Sequence, residues 1–408
     1  MNLRAPKGTD DILPPASRTW RQVLRAWEDW AERFGYDLIQ TPVFEQTELF
    51  ARGVGESTEV VQKQMYTFED RGGRSLTLRP EGTAGVVRAY LENGGTGEMK
   101  VAYSGPMFRY ERPQAGRRRQ FYQVGVEYLG VASPEADAEV IEVGYRFIVE
   151  AGVPGLEVAL NSLGDATCRP HYLRELRGWL EERRDALCDD SRATMELNPM
   201  RVLDCKVCRD VVAGAPAPVD SLCGPCQQHF EAVKNRLRQN GIPFIEDPRL
   251  VRGLDYYTRT AFEYIGTELD AAQNAVGGGG RYDGLAESLG GSPAPGVGLA
   301  LGIDRVLLAS SADPPSVLDA FVVIANEARR DVAMGLVSDL RQEGVRVDVL
   351  ADDRSMKAQF RAADRRGAPA VVIVGDEWDD GVVAIKDLRS GDQETVKIGE
   401  VAAWLVGR

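Results

Sequence analysis

The stretch from Lys100 to Leu129 constrains the fold most, because it has the pattern of a long antiparallel hairpin. Its arms, "MKVAYSGPMFRYE" and "RQFYQVGVEYLG", flank the charged loop "RPQAGRR". Side chains alternate across a strand, so polar residues share one face: Arg109 and Glu111 on the first arm, and Phe121, Gln123, Gly125 and Glu127 on the second. This predicts either a polar floor carrying one aromatic ring or an ordinary solvent-facing sheet surface.

Composition and charge limit the classes of function. The 408 residues, 43% hydrophobic and 27% charged, are enough for two or three domains of a globular protein. A formal net charge of −13 argues against indiscriminate nucleic-acid binding but is compatible with a local basic track. The two histidines, His171 and His229, exclude a catalytic design built on several histidines, and no P-loop motif is present. Without a signal-like or membrane-spanning segment, we expect a cytoplasmic protein.

Further elements surround the hairpin. Apolar residues at helical spacing predict a helix from Trp20 to Phe34, and "YDLIQTPVFE" predicts a strand around Pro42. "RSLTLRP" predicts a strand that leads into a helix in "EGTAGVVRAYLEN". "LVRGLDYYTRTAFEYIG" has strand composition, and "PGVGLALGIDRVLLAS" predicts a glycine-rich strand running into a helix.

The remaining chain divides into an insertion and a separate domain. Residues 161–245 have charged helical stretches around a Cys-rich centre, and "SSADPPS" at 310–316 is typical of a linker. Beyond it, four short apolar strands alternate with helical patterns, which predicts an α/β domain at 317–408 with a largely parallel sheet. Its basic residues Arg354, Lys357, Arg361 and Arg365 fall on one helix face, which is either a nucleic-acid contact or a solvated surface.

These motifs resemble a known family. "GPMFRYERPQAGRRRQFYQVGVE", "GVGLALGIDRVLL" and the strand around Pro42 resemble the signatures of class II aminoacyl-tRNA synthetases. "LRPEGTA", "LVRGLDYYTRTAFE" and "GGGGRYDGL" are similar to elements of the histidyl-tRNA synthetase family. The resemblance implies an α/β (α+β) fold: an antiparallel catalytic sheet flanked by helices at 1–160 and 246–312, a helical insertion at 161–245, and a C-terminal anticodon-binding domain at 317–408.

The resemblance implies activation of L-histidine with ATP and Mg²⁺, followed by transfer to tRNA(His). Two anions repel until arginines neutralise them, because the guanidinium is always charged and binds phosphate and carboxylate in a fork. The implied catalytic residues are Arg109, which contacts the α-phosphate and the substrate carboxylate, and Arg252, beside the same phosphate. The implied ATP-binding residues are Arg109, Glu111, Arg117, Phe121 and Arg305. A structural ion pair with Asp255 is the alternative for Arg252.

The resemblance also implies a histidine pocket. Glu81, Gly82 and Thr83 would receive the α-amino group, and Glu127 and Tyr257 would read the two ends of the imidazole. Gln123 and Tyr256 would complete the pocket, together with Arg109 and Arg252. A neutral imidazole offers one N–H and one bare nitrogen, which a carboxylate facing a phenol can recognise. The implied tRNA contacts are Arg112, Gln114 and Arg118 in the hairpin loop and Arg361 and Arg365 in the C-terminal domain; a homodimer is also implied.

The cysteines suggest a metal site that the family does not require. Cys205-x-x-Cys208 and Cys223-x-x-Cys226, with fourteen residues between the pairs, have the spacing of a four-thiolate structural zinc site. A redox pair and free packing thiols are the alternatives. Cys168 and Cys188 have no partner at such spacing and are interpreted as packing residues.

Two other functions are compatible with such a fold. One is a non-catalytic regulatory paralogue associated with ATP phosphoribosyltransferase. Such paralogues typically lack the C-terminal domain and have eroded "RGLDYY" elements, whereas this chain has both. The other is an RNA-binding module that has lost catalysis, which would be expected to lose the phosphate-binding arginines, yet Arg109, Arg252 and Arg305 are all present.

Overall fold

The structure, a computed structural model, describes residues 3–55, 58–267, 274–311 and 316–407. The chain divides into two compact units, Met1–Ala312 and Asp313–Arg408. Most of the linker predicted at 310–316 lies outside the described residues. Within the described ranges, no helix is long and apolar enough to cross a membrane.

The first unit is a mixed sheet structure interrupted by a mainly helical segment. Its strands are β1 Asp37–Leu38, β2 Phe44–Gln46, β3 Tyr66–Glu69, β4 Ser75–Leu78, β5 Met99–Phe108, β6 Gln120–Leu129, β7 Leu156–Ser162, β8 Phe244–Glu246, β9 Thr258–Gly266, β10 Ala275–Arg281 and β11 Gly296–Gly302. Its α-helices are α1 Ala16–Arg33, α2 Thr47–Val54, α3 Thr83–Glu92, α4 Pro134–Glu150, α5 Arg169–Glu181, α6 Asp189–Leu197, α7 Gly224–Gln239, α8 Leu285–Ser288 and α9 Ile303–Ala309.

The large sheet has the strand order β1-β5-β6-β11-β10-β9-β7-β8 across the described residues. Its pairs are antiparallel except for β1 with β5 and β7 with β8. The predicted hairpin is confirmed as β5 and β6, with Gly105 opposite Gln123 and Val101 opposite Glu127. Because β6 lies beside β11 and near β10, the polar face of the hairpin continues across the glycine-rich strands.

The core of this unit lies where helices α1, α4 and α7 cover the large sheet. Trp27, Phe147 and Tyr264 are fully buried there, and burial of such large apolar side chains is the main stabilising contribution. Beside them, the fully buried Arg281 of β10 pairs with Asp137 of α4, and His229 Nε2 of α7 lies 3.3 Å from the same carboxylate. Charges as deep as these are tolerated only when paired.

The second unit is a five-stranded sheet, in the described residues, with helices around it. Its elements are β12 Ala320–Ile324, α10 Arg330–Gln342, β13 Val347–Val349, α11 Met356–Arg365, β14 Ala370–Val374, β15 Val382–Asp387, β16 Gln393–Lys397 and α12 Val401–Val406. The order is β13-β12-β14-β15-β16. β12, β13 and β14 are parallel as predicted, but β15 and β16 form an antiparallel hairpin because they are joined by a tight turn rather than a helix.

Two of the predicted strands differ from the observed ones. The strand around Pro42 is split into β1 and β2, which belong to different sheets. Only the second half of "LVRGLDYYTRTAFEYIG" is a strand, since β9 begins at Thr258 and residues 250–257 form turns and extended loop. Aromatic content alone therefore overpredicted strand at the part of this segment that lines the candidate site.

Candidate functional site

A cavity of about 200 Å³ lies over β6, β9, β10 and β11. It gathers most of the predicted site residues, from the start of α3, the hairpin, residues 250–257 and the start of α9. Those at the cavity are Glu81, Thr83, Arg109, Glu111, Arg117, Arg118, Phe121, Gln123, Arg252, Tyr256, Tyr257 and Arg305. Residues as far apart in the sequence as Glu81 and Arg305 therefore line a single cavity, which predicts a binding or catalytic site.

Arginines dominate one part of the cavity. Arg109 is oriented by its Nε, which donates to the Pro80 carbonyl at 2.9 Å, and its guanidinium lies 5.3 Å from the centre of the Phe121 ring. Arg305 donates through Nη1 to the Ala275 carbonyl at 2.7 Å. Burial, followed by the charge of Arg117, lowers the pKa of Arg305 from its ordinary value. Several positive charges in one cavity favour an anionic ligand.

Arg252 forms an ion pair, but not with the predicted partner. Its Nη1 lies 2.8 Å from Glu263 Oε1 on β9, and its guanidinium lies 5.6 Å from the Tyr257 ring centre. Asp255 instead accepts from Asn198 Nδ2 at 2.8 Å and lies 3.2 Å from Arg201 Nη2, so the predicted ion pair between Arg252 and Asp255 is wrong. Residues 250–257 lack regular secondary structure, and the side chains of Arg252 and Asp255 contact different neighbours.

Two glutamates and a tyrosine form the buried end of the site. Thr83 Oγ1 donates to Glu127 Oε1 at 2.6 Å, and Tyr282 donates to the other oxygen of Glu127. Glu81 accepts from the backbone N–H groups of Thr83 and Ala84 at 2.7 and 2.9 Å, and so caps α3. Both oxygens of each carboxylate thus have a partner before any ligand binds.

Burial sets the protonation of these carboxyls. It is the largest influence on Glu127 and raises the pKa of that group to about 8, against the lowering effect of the hydrogen bonds from Thr83 and Tyr282. Burial also raises the pKa of Glu81 from its ordinary value. Glu127 therefore keeps its proton to a higher pH than an ordinary glutamate does. Strongly shifted groups beside a cavity are typical of functional sites.

Two further residues of this end, Tyr282 and Gly298, were not predicted from the sequence. Tyr282 contacts Glu127 and lies 5.7 Å, ring to ring, from Tyr256. Gly298 is required because a Cβ there would come within 1.7 Å of Glu127 Oε2. Both residues lie in stretches that the resemblance singled out, but the pairing of β10 and β11 beside β6 was needed to place them next to Glu127.

The residues predicted to contact tRNA lie in the hairpin loop and on α11. Arg112 and Gln114 are exposed in the hairpin loop, whereas Arg118 turns inward and pairs with Asp10 and Asp304 at 3.0 and 3.4 Å. In the second unit, Arg361 and Arg365 are exposed on α11. That helix is anchored to β12 by the buried Gln359, whose amide exchanges hydrogen bonds with the backbone of Ile324.

The predicted four-thiolate site is wrong in its ligand set. Cys223 and Cys226 lie with Asp165 and Cys168, whereas Cys205 and Cys208 lie with Cys188. We call these the carboxylate cluster and the thiol cluster. The two C-x-x-C pairs are separated because each faces a different part of the chain: the turn after β7 for the first, and the start of α6 for the second. Cys168 and Cys188 are thus cluster members, not isolated packing residues.

Comparison with known proteins identifies what the chain resembles. Residues 8–306 match the family model described as histidyl-tRNA synthetase, and residues 319–408 match the one described as anticodon binding domain. Histidine–tRNA ligases of Desulforudis audaxviator and Halothermothrix orenii are 50% and 46% identical, covering 99% and 98% of both chains. The apo histidyl-tRNA synthetase structure from S. aureus, 37% identical, covers 99% of this chain and 100% of its own with a TM-score of 0.78.

Proposed function

The chain belongs to the histidyl-tRNA synthetase family, and from this premise we propose that it is a histidine–tRNA ligase. The enzyme activates L-histidine with ATP to histidyl-adenylate and transfers the histidyl group to the 3' end of tRNA(His). The observation that carries the proposal is the cavity itself, which is lined by arginines from three chain segments and by the buried Glu81. That arrangement suits a phosphate and carboxylate at one end and a cationic or polar amino acid at the other.

In the proposed activation step, arginines offset the repulsion between the substrate carboxylate and the α-phosphate. Arg109 binds both groups, and Arg252 stabilises the charge of the transition state from the opposite wall. Arg117 and Arg305 hold the phosphates, Phe121 stacks on adenine, and Glu111 faces its amino group. Little covalent chemistry falls to the protein, since position and charge lower the barrier.

Mg²⁺ would neutralise further phosphate charge when ATP binds. The carboxylates of Glu111 and Glu263 line the cavity and provide the oxygen donors that this ion prefers, so they would hold it there. Glu263 already pairs with Arg252, so the proposed ion would lie next to the proposed catalytic arginine.

The proposed amino-acid pocket lies toward Glu127. Glu81, at Gly82 and Thr83, receives the α-amino group, and the imidazole lies between Glu127 and Tyr257, with Gln123 and Tyr256 beside it. Thr83 and Tyr282 already hold the carboxyl of Glu127 in place, which supports a role in reading one ring nitrogen. An apolar amino acid could not hydrogen-bond to the polar groups of this pocket, and each buried polar group that it leaves without a partner costs about 1–3 kcal/mol.

Each of the two units carries residues of the proposed tRNA contacts. Residues 1–160 with 246–312 form the catalytic domain, 161–245 the insertion and 317–408 the anticodon-binding domain. Arg112, Gln114 and Arg118 approach the acceptor stem, while Arg361 and Arg365 bind phosphates near the anticodon. We further propose a cytoplasmic homodimer with the Pro42 region at its interface, which light scattering would test.

Histidine-dependent ATP–pyrophosphate exchange by the purified chain tests the proposal. We expect exchange with L-histidine and not with other amino acids, followed by charging of tRNA(His). Absence of exchange in protein that still binds ATP would contradict it. The regulatory alternative is not favoured, because the anticodon-binding domain is present and the compared ligases match over nearly their full length.

A further inference from the structure

The two cysteine clusters have the geometry of metal sites, and we infer that the 161–245 insertion holds two zinc ions, one in each cluster. The carboxylate cluster consists of Asp165, Cys168, Cys223 and Cys226, and the thiol cluster of Cys188, Cys205 and Cys208. Within each cluster all ligand atoms lie within 4.8 Å of one another. This inference does not depend on the proposed function.

The distances in the carboxylate cluster match the edges of a coordination tetrahedron. Tetrahedral zinc, with Zn–S bonds of about 2.3 Å and Zn–O bonds of about 2.1 Å, separates two sulfurs by about 3.8 Å and a sulfur from an oxygen by about 3.6 Å. Here the Cys168 and Cys226 sulfurs are 3.9 Å apart. Asp165 Oδ1 lies 3.6 Å from the Cys168 sulfur and 3.9 Å from the Cys223 sulfur.

The donors converge from two separate parts of the chain. Asp165 and Cys168 belong to the turn between β7 and α5, while Cys223 and Cys226 begin α7. Four donors at one point leave no open coordination position, so this zinc would be structural. A disulfide would use two of the three sulfurs and would leave the third sulfur without a function.

Distances among three cysteines and a serine support the second zinc site, in the thiol cluster. The Cys188 and Cys205 sulfurs are 3.7 Å apart, which again matches the sulfur–sulfur edge. Ser191 Oγ lies 3.2 Å from the Cys188 sulfur and 3.4 Å from the Cys208 sulfur. Ser191 Oγ would thus be the fourth ligand of this zinc, and Ser191 follows Cys188 at the same x-x spacing that separates Cys205 from Cys208. A hydroxyl is a weaker ligand than a thiolate, so we infer looser binding here than in the carboxylate cluster.

The carboxylate cluster is also linked by hydrogen bonds to the chain segment that carries Tyr257. Arg169 directly follows Cys168 and donates through Nη2 to the backbone carbonyl of Tyr257 at 2.5 Å. Arg259 Nη2, two residues beyond Tyr257, lies 3.3 Å from Asp165 Oδ2. A metal that holds Asp165 and Cys168 in place would thus position the backbone of a proposed pocket residue.

Elemental analysis of the full-length chain, purified without chelator, tests the inference. We expect two zinc ions per chain in the native protein. Cys226→Ser and Cys205→Ser should each retain one, and the double variant none. Val207→Ser and Gln227→Ser are matched controls, since both side chains are exposed next to cluster cysteines, and should retain two. Ser191→Cys should slow the loss of zinc from the thiol cluster to a chelator, because the variant supplies a fourth thiolate.

Release of zinc from native protein by a mercurial thiol reagent, followed with a chromogenic chelator, gives the same count if a variant fails to fold. No zinc in the native protein, with six free thiols counted after unfolding, would overturn the inference. One zinc that both single variants lose would mean one shared site and would overturn it too. One zinc that Cys205→Ser retains and Cys226→Ser loses would support the carboxylate cluster and refute the thiol cluster.

A kinetic measurement tests the link to the pocket, and it rests on the proposed function. Cys226→Ser should raise the KM for histidine by roughly 3- to 10-fold, because a displaced Tyr257 backbone misplaces the pocket wall. The KM for ATP should stay within about twofold. If a variant shown to lack the zinc of the carboxylate cluster has an unchanged KM for histidine, that zinc does not position the Tyr257 backbone. The number of zinc ions per chain would be unaffected by this result.

Discussion

Replacement of Arg252 tests the proposed chemistry most directly. One Nη of this side chain is used by Glu263, and its Nε has no acceptor among the described residues, so part of the fork is available to a phosphate. The side chain is only 18% exposed. At the effective dielectric constant of about 20 that suits partly buried charges, a cation about 4 Å from an anionic oxygen contributes about 4 kcal/mol.

That energy corresponds to a factor of about 10³ in rate, and the opposing charge of Glu263 reduces it. We therefore expect Arg252→Ala to lower kcat of histidine-dependent pyrophosphate exchange by roughly 10²- to 10³-fold. The KM for histidine should change less than about threefold, because the charge acts mainly in the transition state. Arg252→Lys retains the cation without the fork and should recover roughly tenfold of the loss.

Arg249→Ala is the matched control. It removes an arginine three residues away that does not line the cavity, and it should leave both constants near those of the native protein. The reasoning is refuted if Arg252→Ala raises the KM for histidine and leaves kcat unchanged, since Arg252 would then bind the ground state. An equal loss in Arg249→Ala would indicate damage to the segment rather than to the chemistry.

Three further predictions concern Glu127, Asp137 and the exposed arginines of α11. Because burial raises the pKa of Glu127 to about 8, ionised Glu127 becomes scarcer below that pH, and kcat/KM for histidine should fall about tenfold per pH unit; Glu127→Gln should remove this limb, and a limb that persists in it would contradict the assignment. Asp137→Ala leaves the buried Arg281 without its main partner and should destabilise the first unit by about 3–5 kcal/mol in calorimetry; an unchanged melting temperature would contradict this. Arg361→Ala with Arg365→Ala should weaken tRNA binding, measured by filter binding, and leave pyrophosphate exchange unchanged.

Local patterns predicted much of the fold. Alternation in the hairpin arms predicted β5 and β6, and helical spacing from Trp20 to Phe34 predicted most of α1, which begins earlier, at Ala16. These succeeded because a single element determines its own periodicity. The antiparallel end of the second sheet was missed, because strand direction depends on the connection and not on the apolar content of β15.

Long-range pairings account for what the sequence did not predict. The carboxylate cluster joins Cys168 to Cys226 across 58 positions, and no spacing rule for C-x-x-C pairs includes such a partner. Glu127 meets Tyr282 across 155 positions only because β11 and β10 lie beside β6. The composition of the site was thus apparent from the resemblance, while its internal hydrogen bonds required the sheet order.

The stretch "LVRGLDYYT" shows why the insertion matters to the site. Residues 250–257 lack regular hydrogen bonding, so their shape depends on contacts from outside. Asn198 and Arg201, in the 3-10 helix region that leads to Cys205, hold Asp255, while Arg169, beside Cys168, holds Tyr257. Because each contact originates within a few residues of a different cysteine cluster, loss of either zinc would loosen a different end of the same wall. Asp255 therefore links this wall to the insertion, while Arg252 pairs with Glu263 on β9.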